Sequence, residues 1–189
     1  MHRSDIAQVA ALHDILFPVR YDLRFYNDLL LADRVTILAF LECNELSTPG
    51  PDGLSLVNEP LLIGLATGKF RELHGQCRRH YSGYVVTLGV DSRFRRLGLG
   101  RFLLKHLICM IREGENRCQT IFLHVLASNT SAIKLYESCG FKVYEHLPGH
   151  YHIDGAEFDA IKLVKYINLK APIYDDLEEG DPPRWCNIM

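Results

Sequence analysis

Three arginines and two glycines crowd the segment Arg95-Arg96-Leu97-Gly98-Leu99-Gly100-Arg101. It follows an apolar run at 84–90 and opens an amphipathic run at 102–111, so a strand, a glycine turn and a helix succeed one another. A helix N-terminus leaves its first N–H groups unpaired and carries roughly half a positive charge, and this order therefore builds a cradle for an anion such as phosphate. Gly98 and Gly100 lack the Cβ atoms that would keep a ligand away from the backbone amides, while Arg95, Arg96 and Arg101 add charge at the rim. A dinucleotide fingerprint fails because Leu103 stands where a third glycine is needed, and the P-loop pattern G-x-x-x-x-G-K-[ST] is absent. An ordinary basic turn before a helix is the remaining alternative.

The elements that would position this cradle follow from the pattern around it. A helix begins near Ser4, acting as its N-cap, carries Ile6, Val9, Ala10 and Leu12 on one face and ends at Pro18. A second starts at about Asp22 with Leu23, Tyr26, Leu29 and Leu30. Strands are expected at 35–43, 61–70, 83–90, 120–126, 141–146 and 158–166, and helices at 99–113 and 131–139. The segment 44–60, with Pro-Gly-Pro-Asp-Gly at its centre, reads as a loop. The sum is one mixed α/β domain over 1–167, with helices packed on a central sheet, and an acidic, flexible tail over 168–189.

Composition narrows the partners. A formal net charge of −2 argues against nucleic acid, which wants a basic surface. The patch Arg71, Arg78, Arg79 and His80 reads as a solvated loop or part of a ligand rim. No run reaches the length of a membrane span and no leading signal peptide is visible. The cysteines at 43, 77, 109, 118, 139 and 186 form no C-x-x-C pair and no zinc spacing, and read as reduced cytosolic thiols. His146, His150 and His152 have no cysteine or carboxylate at ligand spacing, so no metal is expected.

The pattern [QR]-x-x-G-x-[GA], met here as Arg95-x-x-Gly98-x-Gly100 after Leu88-Gly89-Val90, resembles the acetyl-CoA signature of the GNAT acyltransferase superfamily. The block at 121–137, with His124, Asn129 and Tyr136, followed by Gly140-Phe141, resembles the strand-Asn-helix-Tyr-Gly-Phe segment of protein N-alpha-acetyltransferases. Phe17-Pro18-Val19-Arg20-Tyr21 with Phe25-Tyr26 resembles the peptide entrance of the NatE and NatF catalytic subunits, which accept N-terminal methionine. The resemblance spans about 5–167 and implies the GNAT fold, an α+β mixed sheet, with acetyl-CoA as co-substrate and protein N-termini as acceptors. One departure stands out, because GNAT domains usually open with a strand, whereas Met1 here falls almost on the first helix. Either that strand is absent, leaving an exposed and destabilising edge at 35–43, or the true start lies upstream.

The resemblance also assigns roles. Tyr84 and His124 match the family's catalytic pair, and the chemistry agrees: an α-amine of pKa about 7.7–8.0 needs only a modest base, and imidazole titrates near neutrality. Backbone at Leu88, Gly89 and Val90 would pair with the pantetheine arm as an added strand does. Main-chain amides from Arg96 through Leu97, Gly98, Leu99 and Gly100 to Arg101 would hold the pyrophosphate, with Asn129 and Tyr136 near the thiol and Tyr136 bonded to the departing sulfur. Phe17, Pro18 and Val19, beside Val86, would line an apolar slot for methionine, and Tyr21 and Tyr151 would clamp the peptide. Such a slot discriminates by about 1–3 kcal/mol, a preference rather than a rule. The family's tandem tyrosine becomes His150-Tyr151, which puts the outer clamp in doubt, and His150 reads as a surface-loop residue.

The chain closes on Cys186-Asn187-Ile188-Met189, a loose match to a prenylation box preceded by an acidic segment. NatF enzymes sit on the Golgi membrane through a longer C-terminal extension, so a lipid on Cys186 would give the same peripheral attachment, on the cytosolic face of that membrane. A ribosomal auxiliary subunit is a further partner the resemblance allows. Two rivals remain: a lysine or histone acetyltransferase on the same scaffold, and a catalytically silent CoA-binding adaptor, against which the Tyr84–His124 pair argues.

Overall fold

The computed structural model describes residues 1–42, 60–74, 79–114 and 118–167. Cys43, Cys77, Arg78, nearly all of the 44–60 loop, the side chains of Arg79 and His80, and the tail with Cys186 lie outside the described residues. A turn at Arg3–Asp5 leads into α1 (Ile6–Leu16), then α2 (Leu23–Asp28), β1 (Arg34–Leu41), β2 (Leu61–His74) and β3 (Arg79–Val90). A turn at Ser92–Phe94 precedes α3 (Leu99–Gly114), β4 (Cys118–Leu126), α4 (Thr130–Ser138), β5 (Lys142–Ile153) and β6 (Ala156–Tyr166). The strands form a six-stranded sheet in the order β1-β2-β3-β4-β6-β5, with β1 at one edge. Among the described residues no helix is long and apolar enough to cross a membrane.

Local chemistry explains the helix starts. The Asp22 carboxylate accepts the Phe25 N–H at 2.9 Å and caps α2. Ser4 does not cap α1; it sits inside the preceding turn, where the Asp5 carboxylate takes the His2 N–H at 2.7 Å, and the helix starts at Ile6. Leu23 is 69% exposed, because α2 turns Phe25, Tyr26 and Leu29 inward instead.

On one face of the sheet α3 buries Leu103, Leu104, Leu107 and Ile111 completely against Ala66, Val85, Ile121 and Leu123. Each such side chain contributes about 1.5–3 kcal/mol. The helix lies so close to β3 that a Cβ on Gly83 would come within 2.7 Å of Ile111. On the other face Val9 and Leu12 of α1 and the buried residues of α2 pack on Leu62 and Leu65. His13 is fully buried in this second layer, a position marked in the sequence by its spacing with Val9 and Leu16 but not read there as core.

Candidate active site

The parallel strands β3 and β4 pair only from Tyr81 opposite Cys118 to Tyr84 opposite Phe122. Beyond that point β4 stays bound to β6 as far as Leu126, and β3 to β2 as far as Val90, so the two strands part at their carboxyl ends. The local cause is a bulge: Thr67 faces Thr87 and Gly68 faces Val85, which leaves Val86 as an extra residue on β3. An extra residue bends its strand and increases its twist. The hydroxyls of Thr67 and Thr87, buried and 2.7 Å apart, fix the register beside it. A cleft of about 600 Å³ opens between the parted strands, at the carboxyl end where sheets of this kind bind ligands.

One wall of the cleft is mostly main chain. Leu88, Gly89 and Val90 border it while their β2 edge is bound to Ala66, Leu65 and Gly64. The turn before the cradle is held by Asp91, whose carboxylate accepts the Arg93 N–H at 2.9 Å and its guanidinium at 3.1 and 2.7 Å. Those bonds pull the Asp91 carboxyl down to about 2. Arg96 and Gly98 then take left-handed conformations, φ 67° and 85°, and the Phe102 N–H bonds the Gly98 carbonyl at 3.0 Å. The amides ahead of Phe102 have no helical acceptor and are offered to a ligand.

A Cβ on Gly98 would meet no heavy atom within 4 Å, and one on Gly100 only Leu135 at 3.5 Å and Val90 at 3.7 Å. Gly98 is required by its φ, but no protein atom requires a glycine at 100, so the space there suits a ligand brought against the backbone. All three arginines border the cleft, and two of them are held in place. The Arg95 Nε donates to the Val90 carbonyl at 3.0 Å and the Arg101 Nη2 to Ser138 Oγ at 2.9 Å, so both are tied to neighbouring elements while, with Arg96, they line the cleft as charged groups. At the inner end, Asn129 Oδ1 caps α4 by accepting the Ala132 N–H at 3.2 Å. Burial raises the Tyr136 phenol far above its ordinary range, so its hydroxyl stays protonated and able to donate.

The other wall and the floor are side chains. Phe17, Pro18, Val19, Tyr21, Val86 and Tyr151 all border the cleft, together with Leu16 and Ile153. Tyr21 stacks on Phe25 with ring centroids 4.2 Å apart. His13 lies beneath them among the rings of Phe17, Tyr21, Phe25 and Tyr26, with neither ring nitrogen hydrogen-bonded, and burial lowers it to about 4. His124 borders the cleft. Tyr84 does not; it is 6% exposed, and its hydroxyl stands 3.3 Å from His124 Nδ1, so it reaches the cleft only through that imidazole.

Burial lowers His124 to about 3, helped by the positive charges of His150, Lys162 and Arg71. Lys162, side chain 7% exposed, sits 3.9 Å from Glu145 and over the rings of Phe122 and Tyr144. Lys162 was not expected at the site, though a lysine within the apolar run 160–164 was a visible signal, and Arg71 was read only as part of a solvated loop or ligand rim. His150 is the clearest correction: it is half-buried, with its ring centroid 4.7 Å from that of His124, not a surface-loop residue.

Residues 62–147 match the FR47-like protein family. N-alpha-acetyltransferase 50 of Danio rerio is 30% identical over 179 residues, covering 94% of this chain and 92% of that protein. The chain belongs to the GNAT family of N-alpha-acetyltransferases. This acetyltransferase is also 28% identical over 176 residues to histone acetyltransferase MCC1 of Arabidopsis thaliana, covering 87% of this chain and 67% of that protein. Among solved structures, Arabidopsis thaliana NAA60 in complex with a bisubstrate analogue superposes with a TM-score of 0.73 at 28% identity, over 89% of this chain and 96% of that one. Arabidopsis thaliana Naa50 with the bisubstrate analogue CoA-Ac-MVNAL gives 0.68 at 27%, over 87% and 94%. The family's acetyl donor, acetyl-CoA, fits the residues present: an open amide cradle for phosphate, a strand edge for the arm and a phenol donor at the inner end.

Proposed function

We propose that this acetyltransferase transfers the acetyl group of acetyl-CoA to the free α-amino group of protein N-termini that begin with methionine, by direct attack in a ternary complex. The observation that carries the reading is a single cleft with a main-chain wall on one side, an aromatic slot on the other and the Tyr84–His124 pair between them. Acetyl-CoA supplies the thioester carbonyl that the amine attacks. Leu88 to Val90 and the amides of the cradle hold and align it, and the Tyr136 hydroxyl donates toward the departing sulfur. The free-base fraction of the α-amine, whose pKa is about 7.7–8.0, attacks the carbonyl, and His124, kept neutral by burial, orients it and relays toward water the proton it sheds on addition, with Tyr84 fixing the ring through Nδ1. Phe17, Pro18 and Val19 seat an apolar first side chain, a reading supported by the methionine that opens the peptide bound to Naa50.

A lysine acceptor is the second reading, favoured by the likeness to a histone acetyltransferase. Lysine, of pKa near 10.4, needs a stronger base, and among the described residues no aspartate or glutamate borders the cleft. Turnover on peptides with free or blocked N-termini, with first residues Met, Ala or Ser and with internal lysines, tests the proposal. Acetylation of free methionine-starting peptides is expected; activity confined to blocked, lysine-bearing peptides would overturn it.

A further inference from the structure

We propose that Lys162 and Arg71 form a specificity subsite for the acceptor, seating an acidic side chain on the second or third residue of the peptide whose α-amine meets His124. The inference rests on the reading of the cleft as a site for protein N-termini. Strand register places the groups. Lys69 faces Tyr84, Tyr84 faces Phe122, Phe122 faces Val164 and His124 faces Lys162, so these side chains share one face of the sheet, and Arg71 joins them two residues beyond Lys69. It is the face that carries α1 and α2, because Val86 packs both on their layer and on the cluster of Tyr84, Phe122 and Val164. Neither Lys162 nor Arg71 borders the cleft itself; they continue the acceptor side past His124, away from the cradle.

Cations gather on this face. Arg71 Cζ lies 5.9 Å and Lys162 Nζ 5.8 Å from the Phe122 centroid, Lys162 also 5.2 Å from that of Tyr144, and Lys69 Nζ 5.6 Å from that of Tyr84. The chain as a whole carries a net charge of −2, so the concentration does not follow from composition. Lys162 points to a ligand. Its side chain is 7% exposed, its contact with Glu145 is 3.9 Å long, and among the described residues its ammonium makes no hydrogen bond. A buried ammonium with its donors unfilled is unfavourable, and an anion that accepts from it relieves the strain on the charge. The rings hold both cationic heads without neutralising them. An acceptor peptide can supply the anion: cross-strand neighbours lie about 5 Å apart and an extended chain advances about 3.3–3.6 Å per residue, so with the amine at His124 a carboxylate on residue two or three comes within reach of Lys162, and Arg71 beside the same ring adds a second charge.

Two peptide pairs test this, one beginning Met-Glu-Ala or Met-Gln-Ala and the other Met-Ala-Glu or Met-Ala-Gln. Their affinities for the CoA-loaded full chain and their kcat/KM values are measured. Glutamine matches glutamate in shape, so within a pair only the charge differs. In at least one pair the acidic peptide is expected to bind about fivefold or more tightly than its amide twin, and the advantage should shrink at about 0.5 M salt. In Lys162→Met and in Arg71→Gln that ratio should fall toward one; Arg71 is only half-buried, and its variant serves if the lysine variant does not fold. Equal affinity within both pairs, or a ratio that survives in the folded variants, would overturn the proposal. Acetylation of all four peptides with equal kcat/KM would strike the subsite alone, whereas four peptides left unacetylated would strike the reading of N-termini as acceptors and the subsite with it.

Discussion

The donor wall of the cleft and its acceptor wall are built of different materials. The donor wall is backbone: a strand edge at 88–90, the amides of a helix start behind Gly98 and Gly100, and a cap at Asn129. The acceptor wall and floor are side chains gathered from α1, β4, β5 and the loop before α2, resting on a buried histidine. On the proposed function, the backbone wall recognises what every CoA ester shares, whereas the wall of rings and imidazoles sets which amine is accepted. Changes in the two walls should therefore have separable effects.

The largest effect should come from the floor between them. His124→Ala is expected to reduce turnover by about tenfold to a hundredfold while leaving acetyl-CoA affinity nearly intact. Unchanged turnover at pH 7 would remove His124 from the chemistry and with it the division drawn here.

Next in size is the histidine under the acceptor wall. His13 titrates at about 4 in the folded chain, below its ordinary 6.5, so between those values the unfolded state binds the extra proton and stability falls as the pH falls. The loss reaches roughly 3 kcal/mol by pH 4. His13→Phe removes it, and chemical denaturation from pH 7 to 4 should then show a shallower slope, with His124 contributing what remains. Equal slopes in both proteins would show that His13 is not buried neutral.

A smaller effect is expected where the walls touch. A Cβ on Gly89 would come within 2.5 Å of Leu16 Cδ1 and 3.2 Å of Phe17 Cζ. Gly89→Ala, though made on the donor wall, should therefore displace the acceptor slot and raise the peptide KM about threefold. A change confined to acetyl-CoA would mean that the strand edge moves instead.

The same contrast explains what was legible in the sequence. The cradle could be read because a helix start that must admit a ligand leaves its mark as glycines at fixed spacing, Gly98 and Gly100, beside the strand it follows. The sheet and its helices followed from periodicity, with limits shifted where a cap or hairpin intervened, as at Ser4 and at the ends of β2 and β5. The partners of His124 were harder to see. Lys162 reaches it by strand register, Arg71 by its place on β2, and His150 by a bulge that depends on Gly149 and Asp159 across the hairpin. A lysine within the apolar run 160–164 is a local oddity, but nothing local says which residue each of the three faces, since the ladder is set by the whole sheet. Tyr84 was found, but not its position behind the imidazole rather than in the cleft.

The separation of the walls is measured most directly by steady-state kinetics of Gly100→Val and Phe17→Ala, each titrated with acetyl-CoA and with a methionine-starting peptide. A Cβ at 100 meets only ordinary contacts within the protein, so the fold should tolerate the first change while the space for the cofactor closes. Gly100→Val is predicted to raise the KM for acetyl-CoA about tenfold and leave that for the peptide unchanged, and Phe17→Ala to do the reverse. Both constants rising together in either variant would contradict the account.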